Sequence, residues 1–465
     1  MNKREFYGRY NELSELNRRY DSNKFEFGII YGQRRIGKTT LIKEFCGGKK
    51  YIYFQAKEAT EQINIINFIE TIKETIDIPK YVKFDRFDQV LGYVIGKVNN
   101  ENYIIVIDEY PYLESQIRGF SSMLQELIDH ICIEGSIKLL LSGSNVSFFE
   151  HMIKDNAHPL FKRNTFQMKI NTMPYNEALQ FLSFSKESDI IKYLSLFSTH
   201  PYYLSLIDES LGFEENVKRL LFDKYSPLRY MDQHLLANGL RELSLYNSIL
   251  YAITKRSIKV EEISNKLNID SSKTAKYLKT LIDMEIVSKK NIYNGNKRSV
   301  YYEIVNPIME FWYSFVFTNQ DKIDVVSSDI LYKEYEESFN RLLDRYFEKV
   351  CLSFLQYKNS LLEFGELFSE FNNYEVSNSK LNRSIEIDGI AESKNMLMII
   401  ECKNRNTKLN ESVYNHLVES SSIFEHKEKI YVFFSRSGYS NKLKQLSKSK
   451  KNIILYDLND MVNFK

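Results

Sequence analysis

Short unbroken apolar runs alternate along this chain with stretches whose apolar residues recur every three or four positions. Phe25 to Tyr31 (FEFGIIY), Ile104 to Ile107 and Lys138 to Leu141 are runs of the first kind. Such runs predict strands covered on both faces, as in a parallel sheet. Helical spacing follows them: Leu13 and Leu16 share one face of Asn11 to Tyr20, and Thr40 to Phe45 is helix-forming. From Pro174 to Pro227 the pattern is helical throughout, with Ala178, Leu179, Phe181 and Leu182 followed by Ile191, Tyr193, Leu194 and Phe197.

Residues 243 to 304 read as a separate unit. Leu245, Ile249, Leu250 and Ile253 mark one helix, and Glu261 to Leu267 a second. Ser271 and Ser272 cap a third that runs through Ile286, with Ala275, Leu278, Leu281 and Ile282 on its apolar face. The segment VSKKNIYNGNKRSVYYEI then alternates about Asn294-Gly295, a two-residue hairpin signal. Three helices and a hairpin predict a winged helix. Beyond the aromatic segment NPIMEFWYSFVF, a helix carries Phe339, Leu342, Leu343, Tyr346, Phe347, Val350 and Phe354 as its buried stripe. Ser384 to Asp388 alternates as a strand, Ser393 to Asn395 turns, and Met396 to Lys403 returns.

Composition narrows the picture a little. A chain of 465 residues predicts three or four domains. The net charge of +2 requires any basic surface to be local. Four cysteines without a C-x-x-C pair indicate neither a disulfide framework nor a zinc cluster. With no apolar signal core at the N-terminus and no run of about 18 apolar residues, the expectation is a cytoplasmic protein without a membrane partner.

The chemistry centres on Gly32-Gln33-Arg34-Arg35-Ile36-Gly37-Lys38-Thr39, a complete G-x-x-x-x-G-K-[ST] between a strand and a helix that starts with Thr40. The glycines let successive N–H groups face a phosphate, and the helix N-terminus adds its dipole. Lys38 is expected to reach the outer phosphates of ATP, and Thr39 to hold Mg²⁺. Asp108 and Glu109 end the strand at Ile107; Asp108 is a second Mg²⁺ ligand and Glu109 the residue that orients or deprotonates the attacking water. The strand at Lys138 runs into Ser142 and Ser144, which locally read either as a plain strand-to-loop cap or as hydroxyls beside the phosphates that sense the γ-phosphate. Lys273, Lys276, Lys279, Lys289, Lys290, Lys297 and Arg298 decorate the third helix and the hairpin, which makes double-stranded DNA the expected partner. In the last third, Glu401 and Lys403 share a strand face with Asp388 on the neighbouring strand, a set that can share a divalent metal.

The motifs FYGR, GQRRIGKTTL, IIVIDEYPYL and LLLSGSN, in that order, resemble the archaeal-type P-loop ATPases of the AAA+/STAND group. The resemblance implies an ATP-hydrolysing parallel α/β domain with a helical lid, with Gly8 and Arg9 near the adenine and Ser142 or Ser144 as first sensor. It also implies an arginine that acts on the γ-phosphate, Arg163, within Leu160-Phe161-Lys162-Arg163, and a contact at Pro201 within Ser198-Thr199-His200-Pro201-Tyr202. Both elements lack the family's glycines. The spacing D-x(12)-E-x-K, with Glu348 as the first-helix acid, resembles the PD-(D/E)xK restriction-endonuclease-like superfamily.

The expected architecture is multidomain α/β. It comprises a P-loop ATPase core (1–165), a helical lid (166–235), a winged helix with its aromatic helix (236–320) and a nuclease-like α/β domain (321–465). The expected function is an ATP-hydrolysing, DNA-associated protein with a metal-dependent nuclease domain. The competing reading is a non-cutting STAND-like switch that binds ATP and DNA. Oligomeric state is left open.

Overall fold

The computed structural model describes residues 6–79, 81–182, 186–236, 242–291, 300–369, 371–378, 383–424 and 428–464. They fall into two compact units, Met1–Met173 and Pro174–Lys465.

In the first unit the helices are α1 (Tyr10–Tyr20), α2 (Lys38–Cys46), α3 (Glu61–Ile72), α4 (Phe87–Val98), α5 (Tyr110–Gln116), α6 (Phe120–His130) and α7 (Val146–Lys154). The strands are β1 (Glu26–Gly32), β2 (Tyr51–Gln55), β3 (Ile104–Asp108), β4 (Lys138–Gly143) and β5 (Phe166–Ile170). They form one sheet in the order β2-β3-β4-β1-β5, every neighbouring pair parallel. All residues of β1, β3 and β4 are buried, whereas the edge strands β2 and β5 are only partly covered. The apolar runs in the sequence are therefore the central strands, which helices cover on both faces. One core holds Phe27, Ile105, Leu139 and Phe68 on one side, and the other holds Ile30, Leu41, Val106 and Leu140. Because all five strands point one way, their carboxyl ends open onto a single edge, where ligands bind in open α/β sheets.

The second unit begins with short helices: α8 (Tyr175–Ala178), α9 (Glu187–Phe197), α10 (Pro201–Leu204), α11 (Phe213–Val217) and α12 (Met231–Leu236). Next come α13 (Leu243–Thr254), α14 (Val260–Leu267), α15 (Ser271–Asp283) and the antiparallel pair β6 (Val287–Asn291) and β7 (Val300–Ile304). The Asn294-Gly295 turn, with Lys297 and Arg298, lies outside the described residues. Two details of α15 differ from expectation. The helix stops at Asp283, because Glu285 turns left-handed at φ 57 and Ile286 N–H bonds back to Leu281. Its inner face is Thr274, Leu278 and Leu281, while Ala275 is exposed. Thr274 can be buried because its hydroxyl donates to the Asp270 carbonyl and accepts from Ser264 Oγ.

The chain continues through α16 (Pro307–Phe315), α17 (Gln320–Val325) and α18 (Ser328–Ser360), whose 33 residues span about 50 Å at helical rise. The last third holds β8 (Asn372–Asn378), β9 (Arg383–Glu392), β10 (Met396–Lys403), α19 (Glu411–Ser420), β11 (Glu428–Ser435), α20 (Asn441–Ser449), β12 (Ile453–Asp457) and α21 (Leu458–Val462). Its sheet has the order β12-β11-β10-β9-β8, parallel from β10 to β12 and antiparallel from β8 to β10. β9 runs four residues past Asp388, so that carboxylate is inside the strand and not at its end.

α18 is long because different parts of one stripe bury against different neighbours. Phe339 packs against Phe311 of α16, with ring centroids 4.7 Å apart and the rings tilted by 59°. Phe354, further along, meets Tyr175, Phe434, Tyr456 and Phe464 at 5.1 to 6.0 Å. Replacing Phe354 by Ala should therefore destabilise the second unit by about 3–5 kcal/mol. Thermal denaturation should show that transition falling while ATP affinity stays at the wild-type value; an unshifted transition would contradict the packing argument.

Candidate active site

β1 delivers the chain to Gly32, and α2 starts at Lys38. Gly32 packs so closely on β5 that a Cβ there would lie 2.2 Å from the Ile170 carbonyl oxygen. Between the two, Arg35 and Gly37 are left-handed at φ 65 and φ 95. Lys38 is buried, and its Nζ donates to the Gly32 and Gln33 carbonyls, each at 2.8 Å. Burial lowers its pKa to about 8, against the fields of Glu109 and Asp108, which raise it. A phosphate bound in this loop would supply the counter-charge that two carbonyls lack. Arg34 and Thr40 are exposed at the rim.

Asp108 is 2% exposed at the end of β3. Its Oδ1 accepts from Ser142 Oγ at 2.6 Å and from the Glu109 N–H at 3.0 Å. Its Oδ2 accepts from Thr39 Oγ1 at 3.3 Å and from the Tyr53 hydroxyl. Tyr53 was not foreseen; its role depends on β2 lying beside β3, a pairing that no local pattern reveals. The Thr39 hydroxyl and the Asp108 carboxylate form a pair of hard oxygen donors of the type Mg²⁺ takes, and these two residues would hold it. Glu109 is left-handed (φ 53) as the cap of α5, and its carboxylate accepts from Ser144 Oγ at 3.2 Å. The two serines thus serve the two acids separately.

The other expected residues are placed as follows. Arg9 donates to the Ile36 and Asn171 carbonyls and to Glu12. Gly8 precedes it at φ 68. Arg163 makes a two-pronged ion pair with Asp129 of α6 and donates to the Pro159 carbonyl. Pro201 is the first residue of α10, in the second unit. Two of the positions where the resemblance predicts glycine, Lys162 and Ser198, have positive φ, 57 and 53, Ser198 with a ψ of −155. At both, a residue with a Cβ carries the strain of a positive φ.

A second acidic group lies in the last third. The β9–β10 register pairs Gly389 with Ile400, so one further step sets Asp388 opposite Glu401. Asp388 Oδ2 accepts the Cys402 N–H at 2.7 Å, and Lys403 Nζ lies 3.6 Å from Asp388 Oδ2 and 2.5 Å from Glu401 Oε1. Glu348 of α18 lies within the field of this cluster. Burial first, then the charge of Asp388, pushes Glu348 up to about 8 and Glu401 up to about 7. Among the described residues no three His, Cys, Asp or Glu side chains form a group that could hold a metal ion. Asp388 and Glu401 converge instead on the Lys403 ammonium.

A parallel sheet with a phosphate loop after β1 and an acidic pair after β3 defines a P-loop nucleotide-hydrolase domain. Residues 6–206 match the model of an ATPase domain found predominantly in Archaea. Residues 312–414 match a family of archaeal and bacterial proteins of unknown function. An uncharacterized protein of Methanocaldococcus jannaschii is 27% identical over 464 residues, covering 98% of this chain and 99% of the relative. An uncharacterized ATP-binding protein of the same organism is 49% identical over 45 residues, 10% of this chain and 76% of the relative. A Walker-type ATPase of Pyrococcus abyssi shares the fold at a TM-score of 0.52 and 16% identity, over 66% of this chain and 96% of that one. The N-terminal part of this chain belongs to the archaeal-type P-loop ATPase family. Among the described residues no helix is long and apolar enough to cross a membrane.

The acidic cluster in the last third makes stability depend on pH. Glu348 and Glu401 ionise near 4.5 when unfolded but only near 8 and 7 when folded, so their contribution is fully present below 4.5 and is lost as pH rises through those values. Glu348→Gln, neutral throughout, should melt higher than wild type at pH 9 without divalent ions and match it at pH 4. Equal melting curves at pH 9 would mean that Glu348 is not held in that field.

Proposed function

We propose that this chain is an ATP-hydrolysing switch that associates with duplex DNA and carries a metal-dependent nuclease in its last third. Lys38 contacts the outer phosphates, Thr39 and Asp108 hold Mg²⁺, and Glu109 orients the attacking water. The hydrogen bond from Ser144 supports that role, since it fixes the Glu109 carboxylate until substrate arrives. On this reading Lys38→Ala abolishes nucleotide binding, whereas Glu109→Gln binds ATP and fails to hydrolyse it. Equal loss of binding in both variants would overturn the assignment.

α13, α14, α15 and the β6–β7 pair have the order of a winged helix, with α15 as the reading helix. Lys273, Lys276 and Lys279 are exposed along it and Lys289 on β6, which supports contact with phosphates. Lys273 also pairs with Glu242 at 3.4 Å.

The observation that carries the nuclease reading is the convergence of Asp388, Glu401 and Lys403 on adjacent strands, beside Glu348 of the packed helix. A divalent ion held by the two carboxylates would activate water and neutralise charge on a phosphodiester. Lys403 would meet the substrate phosphate. The non-cutting alternative draws support from the same lysine, which already ion-pairs with both carboxylates.

Plasmid cleavage by the full chain with ATP and either Mg²⁺ or Mn²⁺ separates the two readings. Wild type should cut, and Asp388→Ala and Glu401→Ala should each lose cutting while retaining ATP hydrolysis. No cleavage by wild type under any of these conditions would favour the non-cutting switch.

A further inference from the structure

We propose that Arg9 is a positioning residue of the phosphate loop. By holding the Ile36 carbonyl, it fixes the Gly37 N–H toward the bound phosphate. The argument begins with one peptide plane. No peptide bond among the described residues is cis. In a trans peptide the carbonyl of one residue and the N–H of the next point to opposite sides. Arg9 Nη2 donates to the Ile36 carbonyl at 3.1 Å, a bond buried at both ends. The Gly37 N–H is therefore turned to the side away from Arg9.

The same Nη2 donates to the Asn171 carbonyl at 2.5 Å, one residue beyond β5. The Ile170 carbonyl of β5 is the atom packed against Gly32 at the other end of the loop. Glu12, in the first turn of α1, holds Nη1 at 2.9 Å and balances the charge. The guanidinium thus braces three segments against one another, and Arg9 as a whole is only 4% exposed. Ile36 sits between Arg35 and Gly37, both at positive φ, the kind of backbone that can turn successive amides toward a common point. Such a concavity gathers N–H dipoles that repel one another until an anion arrives. A fixed external hold on the Ile36 carbonyl keeps them aligned in its absence. A planar fork suits this better than an ammonium, because it can meet two carbonyls and a carboxylate in fixed directions.

This role differs from a contact with the base, and the ligand distinguishes them. The full chain is titrated with ATP, with inorganic tripolyphosphate, which has no base, and with adenosine, which has no phosphate. Arg9→Met should weaken ATP and tripolyphosphate by the same factor, about ten-fold for the loss of charge-assisted hydrogen bonds, and leave adenosine unchanged. Arg9→Lys keeps the buried charge and should show a smaller loss of the same pattern, which carries the comparison should Arg9→Met fail to fold. Circular dichroism and melting temperature report folding separately. Wild-type affinity of both variants for tripolyphosphate, or a loss shared equally by adenosine, would overturn the proposal.

Discussion

The first unit depends on burying the Asp108 carboxylate. An ionised carboxylate away from water is costly by several kcal/mol unless donors surround it. Four donors do so: Ser142 from β4, Tyr53 from β2, Thr39 from α2 and the following amide of Glu109. The first three come from segments far apart in sequence, so the charge is fully surrounded only when β2, β3, β4 and the phosphate loop have assembled. The same requirement puts Thr39, at the end of the phosphate-loop motif, beside Asp108. Lys38 is the complementary case, a buried cation held by loop carbonyls and by the fields of two acids. The candidate site thus holds two buried groups of opposite charge type, Lys38 and Asp108.

The second unit uses a different device. α18 carries one apolar stripe along its 33 residues and packs it in turn on the helical segment, on α16 and on the C-terminal sheet. A single stiff element therefore bears both Tyr346, whose hydroxyl donates to Glu310 at 2.5 Å, and Glu348, which faces Asp388 and Glu401 electrostatically. Rigidity in this unit comes from helix length and aromatic packing, with Trp312, Tyr313 and Phe311 buried in α16.

Lys162 and Ser198 show how backbone and side chain can separate. Both stand where glycine is expected, and both have positive φ. Left-handed backbone disfavours residues with a Cβ by roughly 1–2 kcal/mol. That the conformation persists means surrounding structure imposes it. Arg163, next to the first of these, is anchored on Asp129.

Much of this was legible in the sequence. The runs at Phe25, Ile104 and Lys138 determined the buried central strands, because a strand covered on both faces needs no polar alternation. The spacing from Gly32 to Thr39 determined the phosphate loop, since its chemistry is local to eight residues. The alternation from Ser384 to Lys403 placed Asp388, Glu401 and Lys403 near one another, because a hairpin-linked pair fixes register over a short distance. Other features were decided by the tertiary structure alone. β2 is a short strand with exposed residues at both ends, and α3 and α4 between it and β3 gave no motif, so the hydroxyl of Tyr53 on Asp108 emerged only from strand order. Asp388 lies inside β9 because the strand's last residues find partners on β10, not because of its own composition. Thr274 replaces Ala275 in the core because a neighbouring serine and a carbonyl satisfy its hydroxyl. Local pattern determines what an element is; long-range neighbours decide which polar groups it can bury, since a buried polar atom is stable only where another segment supplies its partner.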